Sequence, residues 1–188
     1  MDFQQGQGGA IAAGGSTLIL EGCTLLGNGF GAVVVGGGDI EIRGCTFYNN
    51  SGLTFTGNIG SGVTVYAGAF ATIENCIIAA GNYGPAVMNR GGTCSARCTD
   101  IFGNYDGDWV DCVEGQNGVN GNISANPLFC NVAQDDLRLD ASSPCPPDNS
   151  GGCGLIGAHD VGCGTTAVDP TTWGYLKSMW QDGRAVRR

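Results

Sequence analysis

The chain has 188 residues, 42% apolar and 13% charged, with a net charge of −9. That composition supports one cored domain with or without a tail and excludes wholesale disorder, and its acidity makes nucleic acid and anionic lipid poor partners. Glycine is the outlier at 35 residues; this is far above the usual ~7% share, yet no Gly-X-Y period points to collagen. No stretch reaches the ~18 apolar residues of a membrane span. There are ten cysteines and one histidine, with no Cys-x-x-Cys pair, so a zinc cluster is not expected. An even cysteine count at mixed spacing reads as disulfides plus buried thiols in an exported protein.

Residues 1–8 are a polar lead-in. "MDFQQGQGGAIAA" lacks the basic start and apolar run of a signal peptide, so the chain is expected to be the later portion of a longer exported protein. From Gly9 a phrase recurs: "EGCTLLGN", "RGCTFYNN", "ENCIIAAGN" and "ARCTDIFGN". Setting Cys23, Cys45, Cys76 and Cys98 in register gives steps of 22, 31 and 22 residues. The long step is read as one period plus a loop insertion within Ser51 to Gly62. Ala12, Val34, Val65 and Val87 follow the same steps, as do Leu20, Ile42 and Ile73, then Leu25, Phe47 and Ile78. Asn28, Asn50, Asn82 and Asn104 close the phrase, with one extra residue in the last two copies.

Within each copy the apolar residues alternate, as in Leu18 and Leu20 or Ile40 and Ile42. That is strand periodicity. A repeat of about 22 residues, made of short strands and glycine turns, predicts one turn of a three-faced parallel β-solenoid, each coil stacked ~4.8 Å from the next. Inward Leu, Ile, Val and Cys columns then form the core. The Asn column is expected at turns, where Asn tolerates the left-handed conformation and its amide can pair with the Asn above. Cys23, Cys45 and Cys76 are expected as buried thiols that act as small hydrophobes.

With these repeats, "NPLFC" at Asn126, "DLRLDASSPC" at Asp136 and "CGLIGAHDVGC" at Cys153, the chain resembles exported bacterial right-handed parallel β-helix repeat proteins over roughly residues 9–163. The resemblance implies an all-β, right-handed parallel β-helix. Its last, irregular coil would end in a Pro-Leu-Phe strand, a Ser-Pro turn and an Ile-Gly-Ala strand. The fold carries lyases, hydrolases, epimerases, adhesins and fibres, so it does not fix an activity.

The coils are assigned to residues 9–112 and a Cys-rich closing segment to residues 113–163. The late bridges expected are Cys130 with Cys145 and Cys153 with Cys163, with Cys112 pairing to Cys94 or Cys98. Residues 164–188 change character. Asp169 is a capping residue, Pro170 opens a first turn, and Trp173, Leu176 and Trp180 lie at helical spacing. A short amphipathic helix is predicted there, either capping the solenoid edge or contacting a sorting partner.

Three acidic sets could carry chemistry. Glu21, Arg43 and Glu74 fall in one outward column and suit either a surface charge ladder or a saccharide-binding strip. Asp39, Glu41 and Arg43 alternate along one strand, placing two carboxylates roughly 6.5–7 Å apart, a separation that overlaps that of inverting glycosidases. Phe70 is expected to stack on the Asp39 column. Asp106, Asp108, Asp111 and Glu114 are loosely calcium-like oxygen donors without a complete loop motif; the alternative is a turn leaving the last regular coil, with Trp109 packed inward. His159 beside Asp160 is not a dyad, because adjacent strand residues face opposite ways. "NNS" at Asn49 and "NIS" at Asn122 fit the glycosylation pattern and carry little weight in a bacterial protein. Two functions follow. One is a non-catalytic exported module, structural or adhesive, that contacts cell-surface glycan or self-associates end to end. The other is a carbohydrate-active or promiscuous hydrolytic enzyme that uses an acidic set, with or without calcium.

Overall fold

A computed structural model describes residues 9–52 and 59–164. The lead-in and the predicted tail helix lie outside the described residues. Twelve short strands wind as four coils of three. The first coil is β1 (Ile11–Gly14), β2 (Leu18–Glu21) and β3 (Thr24–Leu26); the second is β4 (Val33–Gly36), β5 (Gly38–Arg43) and β6 (Thr46–Tyr48). The third is β7 (Val63–Tyr66), β8 (Ala69–Glu74) and β9 (Ile77–Ala79); the fourth is β10 (Val87–Arg90), β11 (Thr93–Arg97) and β12 (Asp100–Phe102). Equivalent strands pair in parallel into three sheets, β1-β4-β7-β10, β2-β5-β8-β11 and β3-β6-β9-β12. This is the three-faced β-helix that the repeat predicted.

Each coil turns at left-handed residues, and these set the register. Gly15, Gly37, Gly68 and Gly91 make one corner, with φ of 70°, 83°, 79° and 94°. Gly22, Gly44, Asn75 and Cys98 make the next, with φ of 62°, 56°, 52° and 49°. Inside, Leu20, Ile42, Ile73 and Ala96 stack in register, as do Leu25, Phe47, Ile78 and Ile101. All eight are buried. Burial of such side chains is the main stabilising term, at about 1.5–3 kcal/mol each.

The last repeat departs from the expected register by one residue. In the sheets of β2 and β3 the fourth coil follows the third by 23 residues, not 22. Cys98 therefore occupies the left-handed corner, and Thr99 takes the place in the cysteine column. Thr99 Oγ1 donates to Arg97 O at 3.0 Å, as the thiols of Cys23, Cys45 and Cys76 donate to Glu21 O, Arg43 O and Glu74 O. The column needs a small side chain that can donate to the carbonyl two residues back. Cys98, turned outward, is free to cross-link.

Two other columns also shift. Val34 stacks on Thr64 and Thr64 on Met88, while Val87 stacks on Val63, so neither Val65 nor Val87 is in the predicted column with Ala12 and Val34. The reason is that one residue of the apparent insertion falls in the turn between β7 and β8, not before β7. Gly81, not Asn82, sits between Asn50 and Asn104. Asn50 Oδ1 accepts the Asn28 N–H at 2.9 Å, and Asn104 Oδ1 accepts the Gly81 N–H at 3.0 Å. These amides are buried plugs joining coils, and the left-handed position is one residue earlier, at Asn49 and Ala80.

After β12 the chain makes a partial coil. A 3-10 turn at Asp111–Val113 packs there, and Trp109 and Cys112 lie half-buried against the main core. Strands β13 (Phe129–Asn131), β14 (Asp136–Asp140) and β15 (Val161–Cys163) form a separate sheet, antiparallel and then parallel. The Ser-Pro stretch at Ser143 lies in the turn after β14. The expected Ile-Gly-Ala strand is instead a strap that runs back across the coils. The Asn75 amide donates to Cys153 O and Leu155 O, Ala158 N–H donates to Thr46 Oγ1 at 2.9 Å, and His159 Nε2 meets Thr24 Oγ1 at 2.8 Å. The strap thus passes from the third coil to the first.

That return path decides the disulfides. Cys94 pairs with Cys112, one of the two expected alternatives, while Cys98 pairs with Cys153 and Cys130 with Cys163. The expected Cys130–Cys145 and Cys153–Cys163 bridges do not form. The strap carries Cys153 to the corner of the fourth coil, and Cys145 is buried beneath the closing segment with Leu139 and Ile156, against Ile77 and Ala79. Cys23, Cys45, Cys76 and Cys145 are free thiols.

Candidate functional site

The closing segment covers the outer side of the β3-β6-β9-β12 sheet, burying Ile77 and Ala79 there. The β2-β5-β8-β11 sheet keeps an outer face with exposed charges. Three outward columns run along it. The first is Glu21, Arg43, Glu74 and Arg97; the second is Ile19, Glu41, Thr72 and Ser95; the third includes Asp39, Phe70 and Thr93. The register of Glu21, Arg43 and Glu74 is the expected one, and Phe70 does stack on Asp39.

The ion pairs are arranged differently from a simple ladder. Arg43 pairs with Glu41 of its own strand at 2.5 Å, and Glu74 pairs with Arg97 of the next coil at 2.9 Å. Both pairs are largely solvated, so each contributes at most about 1 kcal/mol. Glu41 is thereby occupied by Arg43, and Asp39 stands beside the Phe70 ring, which is 43% exposed.

A groove of about 390 Å³ lies where this face meets the strap. Glu21 and Arg43 form one side, the corner residues Gly22, Gly44 and Asn75 its floor, and Leu155, Gly157 and Ala158 its far wall. Nothing in the repeat pattern marks the strap residues as part of a site. The one available signal was that "GLIGA" lacks the alternating polar residues of a strand with a solvated face.

The third acidic set, Asp106, Asp108, Asp111 and Glu114, is largely spent on loop backbone. Asp106 accepts from Gly84 N–H, Asp108 from Gly103 and Asn104 N–H, and Asp111 from Asn89 N–H. Glu114 is exposed. Among the described residues, no three or more His, Cys, Asp or Glu side chains are grouped so as to hold a metal ion. Asn122 is buried and donates its amide to Ala96 O, whereas Asn49 is exposed.

Two buried sets lie away from this face. Asp100 points outward from β12 but is fully covered by the closing segment. Its carboxylate accepts from Ala125 N–H at 3.0 Å and from the Cys145 thiol at 3.5 Å. Burial pushes its pKa up to about 7, against these two hydrogen bonds, and the Asp108 charge adds to the rise. The other set is the thiol column. Cys45 Sγ accepts the Cys23 N–H at 3.4 Å and lies within hydrogen-bonding reach of the Cys23 and Cys76 thiols. The Cys76 thiol, chiefly, lowers Cys45 to about 7, while full burial holds Cys76 well above the usual thiol range.

Parallel coils stacked in register, with polar outer ladders, define a β-solenoid. The family model of the right-handed β-helix region matches residues 2–101, and the chain belongs to that family. No curated protein and no solved structure matches the chain significantly. No helix among the described residues is long and apolar enough to cross a membrane.

Proposed function

We propose that the chain is an exported, non-catalytic β-helix module that binds neutral polysaccharide outside the cell or at its surface. The observation that carries this reading is the outward face of the β2-β5-β8-β11 sheet. It is an extended, solvated array with a half-exposed aromatic ring, bordered by the groove at Glu21 and Arg43. Sugar hydroxyls suit its carboxylates, guanidiniums, Thr72 and Ser95, and a sugar ring suits the Phe70 face. Its four carboxylates (Glu21, Asp39, Glu41, Glu74) outnumber its two guanidiniums (Arg43, Arg97), so an acidic polysaccharide is repelled. Three disulfides support export, since such bonds persist in oxidising compartments.

Affinity electrophoresis through gels holding neutral glucans, mannans or xylans, with pectate as the acidic comparison, tests the reading. Retardation by a neutral polymer, weakened about tenfold by Phe70→Ala or Arg43→Ala, a loss near 1.4 kcal/mol, supports it. Retardation that both variants leave unchanged overturns it. So does the release of reducing ends, with or without chelator, that Asp39→Ala/Glu41→Ala abolishes; that outcome would establish the hydrolytic alternative.

A further inference from the structure

We propose that Tyr83 and Tyr105 form a site of oxidative cross-linking, where a one-electron oxidant of the peroxidase class joins the two phenols into a dityrosine staple between the third and fourth coils. The two rings stand in the turns that follow β9 and β12, with centroids 6.0 Å apart and planes tilted by 45°. They are 59% and 75% exposed, so neither serves the core and both are open to an oxidant in solution. The backbone beneath them is fixed. Tyr83 adopts a left-handed φ of 51°, which a bulky residue keeps only where the surrounding structure imposes it. Asn82 N–H donates to Asn50 O at 2.8 Å, Gly84 N–H to Asp106 Oδ2 at 2.8 Å, and Tyr105 N–H to Gly81 O at 2.9 Å. These bonds hold the two tyrosines one coil apart, and rotation about their exposed side-chain bonds brings the ring edges together.

The other tyrosines among the described residues do not form such a pair. Tyr48 and Tyr66 are half-buried, and Tyr48 packs its ring on Phe129. The three disulfides brace β11, the corner at Cys98 and the closing sheet, and leave the corner of Tyr83 and Tyr105 without a covalent tie. The oxidising conditions in which disulfides persist also suit oxidation of a phenol. In the reaction the oxidant takes one electron from each phenol, and each hydroxyl proton passes to solvent. The two phenoxyl radicals couple through the carbons ortho to oxygen, forming one C–C bond. The hydrogens on those two carbons then move to the oxygens, which restores both phenols. The two electrons and two protons released reduce one hydrogen peroxide to two waters. The site is independent of the polysaccharide reading.

The test treats the disulfide-intact chain with a haem peroxidase and hydrogen peroxide, and reads dityrosine fluorescence, intact mass and the linked peptides. A monomer that has lost two hydrogens is expected, linked at Tyr83 and Tyr105, at a rate per chain that does not change with protein concentration. Tyr83→Phe and Tyr105→Phe keep each ring and remove its phenol. Each should cut dityrosine in the monomer at least about tenfold, since the remaining phenols lack a partner held at this distance. Circular dichroism establishes that each variant is folded. Dityrosine found only in covalent dimers overturns the proposal. So does undiminished dityrosine in the monomer of either folded variant, or an oxidised wild-type monomer with no link between Tyr83 and Tyr105.

Discussion

Replacing Asp100 by Asn should stabilise the protein at pH 8 and leave it unchanged at pH 4. Asp100 is completely buried, and its carboxyl loses its proton near pH 7 instead of near 3.8. Between those values the folded chain keeps a proton that the unfolded chain has released. Rising pH therefore favours the unfolded state across this window, and above pH 7 the destabilisation is complete. A shift of about three units at ~1.4 kcal/mol each sets an upper bound near 4 kcal/mol, and about 2–4 kcal/mol is expected once the interior relaxes. Asn keeps an oxygen to accept the Ala125 N–H, and its amide can face the Cys145 sulfur. The assay is urea unfolding of both proteins at intervals from pH 4 to pH 8, disulfides intact. The stability difference should be near zero at pH 4 and grow with a slope of up to ~1.4 kcal/mol per pH unit. A difference that is flat with pH, or that favours the wild type at pH 8, would refute the buried, proton-holding carboxyl.

Asn50→Ala leaves the Leu25 carbonyl and the Asn28 N–H without the partners that now hold them at 2.8 and 2.9 Å. It should lower stability by roughly 2–4 kcal/mol, at ~1–3 for each buried group left unpaired, read by thermal denaturation. Gly81→Ala would place its Cβ 2.1 Å from Ser61 Oγ and 2.5 Å from Ser61 Cβ. It should cost about 1–3 kcal/mol by overpacking, and Ser61→Gly in the same chain should recover much of that loss. If the double variant is no more stable than the single one, the packing of Gly81 on the Ser61 turn is wrong.

The solenoid was legible because a coil must present the same shape to each neighbour. Leu20, Ile42 and Ile73, and Leu25, Phe47 and Ile78, are found where the period placed them. The errors begin where residue identity and backbone register part company. Cys98 looks like a fourth member of the thiol column, yet the left-handed corner advances by 23 residues there, and Thr99 does the packing. Gly81, a full 31-residue step after Asn50, holds the place expected for Asn82, and the one-residue advance then carries the column on to Asn104. The disulfides were illegible for a different reason. Cys98 and Cys153 are 55 residues apart and meet only because the strap crosses the coils, which no spacing rule encodes. On the candidate face, the column of Glu21, Arg43 and Glu74 could be read from the repeat. The Glu41–Arg43 pair and the far wall of the groove could not, because one depends on a side-chain rotamer and the other on the strap.

Proteolysis of the unreduced protein after blocking free thiols, with mass spectrometry of the linked peptides, tests the coil register most directly. Inward-stacked Cys23, Cys45 and Cys76 and an outward Cys98 require labelled thiols at Cys23, Cys45, Cys76 and Cys145 and links Cys94–Cys112, Cys98–Cys153 and Cys130–Cys163. A link that joins Cys23, Cys45 or Cys76 to the closing segment, or a free Cys98, would contradict the winding itself.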